Sequence, residues 1–129
     1  MSSVFTKIIN REIPANIIAE DEMHIAFLDI SPLAKGHTLV IPKKETDLIF
    51  DLESEDFRNL WTFAQKVGKK IGNAIPCVRV GIAVIGLEVP HAHIHLVPLN
   101  TMSDLNFTNE RLQLSQDEFQ EIQNAIINA

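Results

Sequence analysis

Three of the five histidines in this 129-residue chain stand at two-residue intervals, in His91-Ala92-His93-Ile94-His95-Leu96-Val97-Pro98. Imidazole can serve near neutral pH as a nucleophile, a general acid or base, a hydrogen-bond donor or a metal ligand. In an extended strand successive side chains alternate faces, so the spacing predicts three imidazoles on one face and Ala92, Ile94 and Leu96 on the other. Two residues of strand rise are roughly 6.6 Å, so three rings can line a groove about as long as a small phosphorylated ligand. The plain alternative is a polar strand face with no chemical role.

Two chemistries compete for such a face. Zinc takes imidazole readily, and residues two apart on a strand can reach one ion. No carboxylate or thiol lies at a familiar spacing nearby, however, and three histidines on one strand would have to converge across twice the strand rise; no metal is expected. The other chemistry is nucleophilic attack at phosphorus, in which a neutral imidazole forms and then yields an N–P bond, splitting one hard step into two. His93 has an imidazole on either side. With ordinary pKa values near ~6.5, neighbouring imidazoles disfavour one another's protonation, which suits a neutral nucleophile beside a cationic phosphate donor.

The elements that must position this face can be taken from the pattern of the chain. Ser2 or Ser3 caps a short helix carrying Phe5, Ile8 and Ile9, which Pro14 stops. Residues 16–20 and 24–29 form a hairpin around Asp21 and Glu22, and a third strand spans 37–42. Helix 54–72 places Phe57, Leu60, Trp61, Ala64, Val67 and Ile71 on one face and ends at Gly72 and Asn73. Residues 77–85 are a Val- and Ile-rich run of the kind buried on both faces of a sheet, with Cys77 as an inert buried thiol. His24 is expected to be exposed in the hairpin, and His37 simply begins a strand. Ser115 and Glu118 form a capping box that opens a final helix burying Phe119, Ile122 and Ile126. The count, about five strands with one long helix and short terminal helices, predicts an α+β fold with a mainly antiparallel sheet in a single domain, residues 1–129.

The whole-chain numbers narrow the partners. A net charge of −6 argues against a nucleic-acid polymer, which needs a basic stripe to displace counterions. One cysteine rules out an intrachain disulfide, no run approaches bilayer length, and the cytoplasm is the expected compartment.

The segment His91-Ala92-His93-Ile94-His95-Leu96-Val97 is similar to the H-φ-H-φ-H-φ-φ signature of the histidine-triad (HIT) superfamily. Three further stretches resemble its Hint branch: residues 5–14, Phe27-Leu28-Asp29-Ile30-Ser31-Pro32 and residues 36–44. The resemblance implies a purine nucleotide-binding nucleotidyl hydrolase or transferase, acting at the α-phosphate of a nucleoside phosphoramidate or related substrate without metal or cofactor. It implies His93 as the transiently nucleotidylated nucleophile, His95 as the α-phosphate contact and His91 as the residue that orders the site. Asp29 would accept from ribose hydroxyls, and Phe5, Ile8, Ile18, Phe27 and Ile30 would enclose the base. It also implies a homodimer through helix 54–72 and strand 77–85.

Four positions depart from the Hint pattern: Glu45, Val80, Leu87 and Glu88 stand where neutral hydrogen-bonding residues are usual. Two carboxylates near an anion site, and the loss of a serine credited with protonating the leaving group, leave Glu88 as the candidate acid if burial raises its pKa. The alternatives these changes raise are a catalytically weak nucleotide-binding or interaction protein, or a dinucleoside polyphosphate hydrolase.

Overall fold

The computed structural model describes residues 2–129. Its elements are α1 (Val4–Ile9), β1 (Ile17–Glu20), β2 (His24–Leu28), β3 (Thr38–Pro42), α2 (Ser54–Ala74), β4 (Arg79–Ala83), β5 (Ile94–Leu99) and α3 (Gln116–Ile127), with single 3₁₀ turns at Ile49–Asp51 and Met102–Leu105. One antiparallel sheet runs in the order β1-β2-β3-β5-β4. The α+β reading holds.

The sheet separates two apolar layers. On one face α2 and α3 pack Leu60, Ala64, Val67, Ile71, Phe119, Ile122 and Ile126 against Ile18, Ala26, Leu28, Val40, Ile94 and Leu96. On the other, α1 lays Phe5 and Ile8 over Ile25, Phe27, Leu39 and Ile41. Strands β2 and β3 are thus buried on both faces and carry unbroken apolar runs for that reason. Each fully buried Ile or Leu contributes roughly 1.5–3 kcal/mol.

Several expectations are corrected. The doubly buried strand is not 77–85: β4 is an edge strand whose neighbourhood exposes Val78, Ile82, Val84 and Ile85. Cys77 beside it is half-buried, not enclosed. Helix α2 runs through Gly72 and Asn73 to Ala74, because the backbone stays helical until Ile75 turns extended. Helix α1 ends at Asn10, and Arg11 takes a left-handed conformation (φ 62°), so the chain turns away before Pro14 is reached. His24 is buried, stacked on Phe63 with Nδ1 3.0 Å from an Asp21 carboxylate oxygen.

The sheet claims the histidine stretch only from Ile94; before that, His91 lies in a bend with its N–H donating to the Val89 carbonyl at 2.8 Å, and Ala92 N–H donates to the Thr46 carbonyl at 2.7 Å. The alternation survives this break. Ala92, Ile94 and Leu96 enter the α2 layer, while His93 and His95 face the α1 side. Gly36 sets up the opposite wall. Its φ of 96° suits only glycine, and a Cβ there would stand 2.9 Å from Ile75, so the turn into β3 that places His37 needs this residue.

Candidate active site

The α1 side of the sheet carries an open cavity of about 610 Å³, lined by His93, His95, Asp29, Phe107, Arg111, Leu39 and Phe5, with Ile85 to Val89 along its rim. That volume suits a nucleotide-sized ligand. Adjoining it, an apolar recess of about 140 Å³ is walled by Phe5, Ile8, Ile13, Phe27, Ile30 and Leu39. The structure therefore gathers His93, His95, Asp29, Phe5, Ile8, Phe27 and Ile30 around two adjoining spaces that share the walls Phe5, Asp29, Ile30 and Leu39. Ile18 is not among them; it points to the α2 layer, because its place on β1 faces the other side of the sheet.

The hydrogen bonds determine which ring nitrogens carry protons. His93 Nδ1 lies 2.7 Å from the His91 carbonyl, which can only accept, so Nδ1 is protonated. In the neutral ring the Nε2 lone pair is then free. Phe5 packs edge-on at 5.0 Å and holds that ring in place.

His95 has the opposite arrangement. Leu33 N–H donates to His37 Nδ1 at 2.9 Å, so the neutral His37 ring carries its proton on Nε2 and donates it to His95 Nδ1 at 3.0 Å. His95 in turn bears its proton on Nε2. The two triad rings stand 4.9 Å apart, one with a bare Nε2 and the other with an Nε2–H. Lone pair and donor sit side by side, which suits a phosphoryl group: one ring to attack phosphorus and one to bond its oxygens.

Burial sets the charge of the supporting rings. It pushes His37 down to about 3 and His95 down to about 4, helped by the nearby Arg111 guanidinium. His91 is lowered too, again chiefly by burial, with the Pro42 carbonyl and Glu45 opposing. These three imidazoles are neutral at pH 7. Asp29 is raised, by burial first, while the Ser31 N–H and Arg111 pull the other way. His91 itself lines neither of these spaces; it is fully buried, donates Nε2–H to the Pro42 carbonyl at 2.8 Å and lies behind His93.

The departures from the Hint pattern fall in different places. Val80 packs on the α2 layer and Glu45 binds the start of α1, so neither enters the cavity. The expectation of two carboxylates crowding the anion site is corrected to one. Glu88 stands exposed on the rim, so the burial that would make it an acid is absent. Leu87 beside it is 88% exposed.

Sequence reasoning missed four contributors. The spacing around His37 signals no more than a strand start, and Ser3 no more than a helix cap. Phe107 and Arg111 come from the irregular segment after β5, where no periodicity marks them. Arg111 donates to the Ser31 carbonyl at 2.7 Å and lies 5.5 Å over the Phe107 ring, which packs at 4.7 Å against His95. Donor atoms of Asp29, His37 and His95 lie within 4.8 Å of one another. A cation held there would have to displace the His37–His95 hydrogen bond.

Comparison with known proteins adds a family to this geometry. The family model described as HIT domain matches residues 10–102. A HIT-like protein of Methanocaldococcus jannaschii, named as uncharacterized, is 42% identical over 99 residues, covering 74% of this chain and 77% of its own. An adenosine 5'-monophosphoramidase of Schizosaccharomyces pombe is 37% identical over 99 residues, covering 76% and 74%. Among solved structures, a Hit-like protein involved in cell-cycle regulation from Bartonella henselae aligns with a TM-score of 0.85 at 28% identity, over 98% of this chain and 95% of that one.

Proposed function

The chain belongs to the HIT-domain family, and on that premise we propose that it is a purine nucleotide-binding nucleotidyl hydrolase that cleaves a nucleoside phosphoramidate through His93. The supporting observation is the pair of opposed tautomers, with a bare His93 Nε2 beside the Nε2–H of His95.

In the first step His93 Nε2 forms a bond to the α-phosphorus, the P–N bond of the substrate breaks, and the amine leaves with a proton taken from water at the open rim. The charge that develops on the nucleotidylated imidazole is held by its Nδ1–H bond to the His91 carbonyl. His95 Nε2–H and Arg111 bond the phosphoryl oxygens, which is where preorganised donors lower the barrier most. In the second step water attacks phosphorus and gives up a proton that returns to solvent the one taken in the first step, the N–P bond breaks, and His93 is restored with release of the nucleoside monophosphate. Asp29 receives the ribose hydroxyls, and the recess of Phe5, Ile8, Phe27 and Ile30 takes the base.

A second reading, hydrolysis of a dinucleoside polyphosphate, is favoured by the cationic Arg111 in the cavity wall, since a polyphosphate leaving group carries more negative charge than an amine. Incubation with adenosine phosphoramidates and dinucleoside polyphosphates, followed by intact-mass detection of an adenylyl group on His93, tests both. Adduct and turnover that vanish in His93→Ala are expected; normal turnover by that variant refutes the nucleophile. Tight nucleotide binding without turnover would leave a binding protein.

We also place a homodimer on the groove between α2 and β4, lined by Ala64, Gly68, Gly72, Val80 and Ile82. The exposed Val78, Ile82 and Val84 beside it are what a second copy would cover. No helix among the described residues is long and apolar enough to cross a membrane; a cytoplasmic setting is part of the proposal.

A further inference from the structure

Helix α1 is joined to the triad by more than packing. The Ser3 backbone N–H donates to Glu45 Oε1 at 2.6 Å, and the Thr6 hydroxyl donates to the same oxygen at 2.7 Å. Ser3 Oγ accepts the Thr6 backbone N–H at 3.0 Å as the helix cap, and it lies 2.8 Å from His91 Nδ1. His91 Nε2 already donates to the Pro42 carbonyl, so the neutral ring presents only a lone pair at Nδ1. The serine hydroxyl must therefore be the donor.

These bonds form one line, from Glu45 through Ser3 to His91, whose carbonyl then fixes the proton on His93. Ser3 is 6% exposed and His91 0%, so the hydrogen bond between them is shielded from solvent and costly to lose. We infer that Ser3 and Glu45 are positioning residues for His93, acting through the orientation and tautomer of His91. The inference rests on the reading of His93 as nucleophile.

The arrangement has a second effect. Glu45 Oε1 stands 4.0 Å from His91 Nδ1, with the Ser3 hydroxyl as the nearer partner. Without that hydroxyl, the carboxylate becomes the nearest acceptor for a proton on Nδ1. The ring then gains by moving its proton from Nε2 to Nδ1, which releases the Pro42 carbonyl and frees the His91 backbone that anchors His93. Serine at this position keeps the carboxylate and the imidazole from pairing directly.

Ser3→Gly separates this role from capping, because glycine caps a helix nearly as well as serine but has no hydroxyl. The variant is expected to fold, to keep its KM and to lose kcat by roughly ten- to a hundredfold, the scale of a small misplacement of a reacting group. Ser3→Thr, which retains the hydroxyl, restores kcat. Glu45→Gln, whose amide oxygen still accepts from Ser3 and Thr6, stays near native, and Glu45→Ala does not. Nitrogen-15 spectra of the His91 ring provide the readout that a merely structural role would not move: the native Nε2–H tautomer gives way to Nδ1 protonation in Ser3→Gly. Native kcat in Ser3→Gly, a loss that Ser3→Thr does not restore, or an unchanged His91 ring spectrum would each overturn the proposal. If the native protein forms no adduct on His93, the reaction falls instead, and the ring spectra still decide whether Ser3 and Glu45 hold His91.

Discussion

His37 donates its Nε2 proton to His95 Nδ1 across 3.0 Å, and the Leu33 backbone N–H holds the far nitrogen of the same ring at 2.9 Å. A backbone amide thereby dictates, two bonds away, that His95 presents a donor to the cavity. Replacing His37 with Phe keeps an aromatic ring in that buried place and removes the relay, leaving the Leu33 N–H without its acceptor. His95 can then expose a lone pair instead of an N–H. A fall in kcat of about a hundredfold, the scale for losing one oxyanion donor, with little change in KM, is the expected outcome in steady-state assays.

Acid should destabilise the fold well before its carboxylates titrate. His37 and His95 bind protons in the unfolded chain below ~6.5 but in the folded one only near 3 and 4, because burial penalises their charge. Unfolding therefore takes up about two protons in this window, and stability drops as pH falls from 6.5 toward 4. Glu45 adds to the loss at lower pH: the Ser3 N–H first and the Thr6 hydroxyl next hold it down to about 2, so its contribution disappears as pH falls through the ordinary carboxylate range. Asp29, raised by burial, works in the opposite sense. Thermal melts at stepped pH should show Tm falling from pH 6.5 to 4, with a shallower fall in His37→Phe.

Arg111 is the only Lys or Arg that lines the larger cavity. Its removal should weaken the hold on phosphate, raising KM more than it lowers kcat. Arg111→Lys restores charge but cannot reproduce the fork that reaches the Ser31 and Phe107 carbonyls. A titration of nucleoside monophosphate by calorimetry, expected to lose roughly ten- to a hundredfold in affinity in Arg111→Ala, checks the point; unaltered affinity would exclude a phosphate role.

Much of this architecture is local and was readable as such. The Ser115–Glu118 capping box forms as its spacing requires, the hairpin turns at Asp21, and alternation sends Ala92, Ile94 and Leu96 one way and the triad the other. What escaped depends on distance in the fold. His37 reaches His95 across 58 positions of sequence, and Ser3 reaches His91 across 88. Arg111 sits beyond the 3₁₀ turn in a segment with no regular element, which the loop at Ser31 and Pro32 holds through the Arg111 guanidinium and the Leu112 N–H. The misjudged strand, β4, has the apolar composition of a buried one yet lies at the sheet edge, a contradiction that a second copy of the chain would resolve.

That resolution is open to direct test. Ile82 is 52% exposed on β4 and borders the groove against α2. An Ile82→Glu variant should leave the monomer fold intact, since the side chain lies outside the core. In the proposed dimer it would place one charge per copy in an apolar seam. Sedimentation velocity is expected to show a dimer for the native chain and a monomer for the variant. A native monomer would rule out the pairing.

The strand that begins at Ile94 and the residues leading into it carry the core on one side and the chemistry on the other. Both are counted along the same few residues with a period of two, so a single inserted or deleted residue would exchange them outright. Three imidazoles would be driven into the α2 layer while Ala92, Ile94 and Leu96 lined the cavity. Evolution can thus vary this stretch by substitution but not by changing its length; a lineage that lost the chemistry by a one-residue slip would lose the fold in the same event.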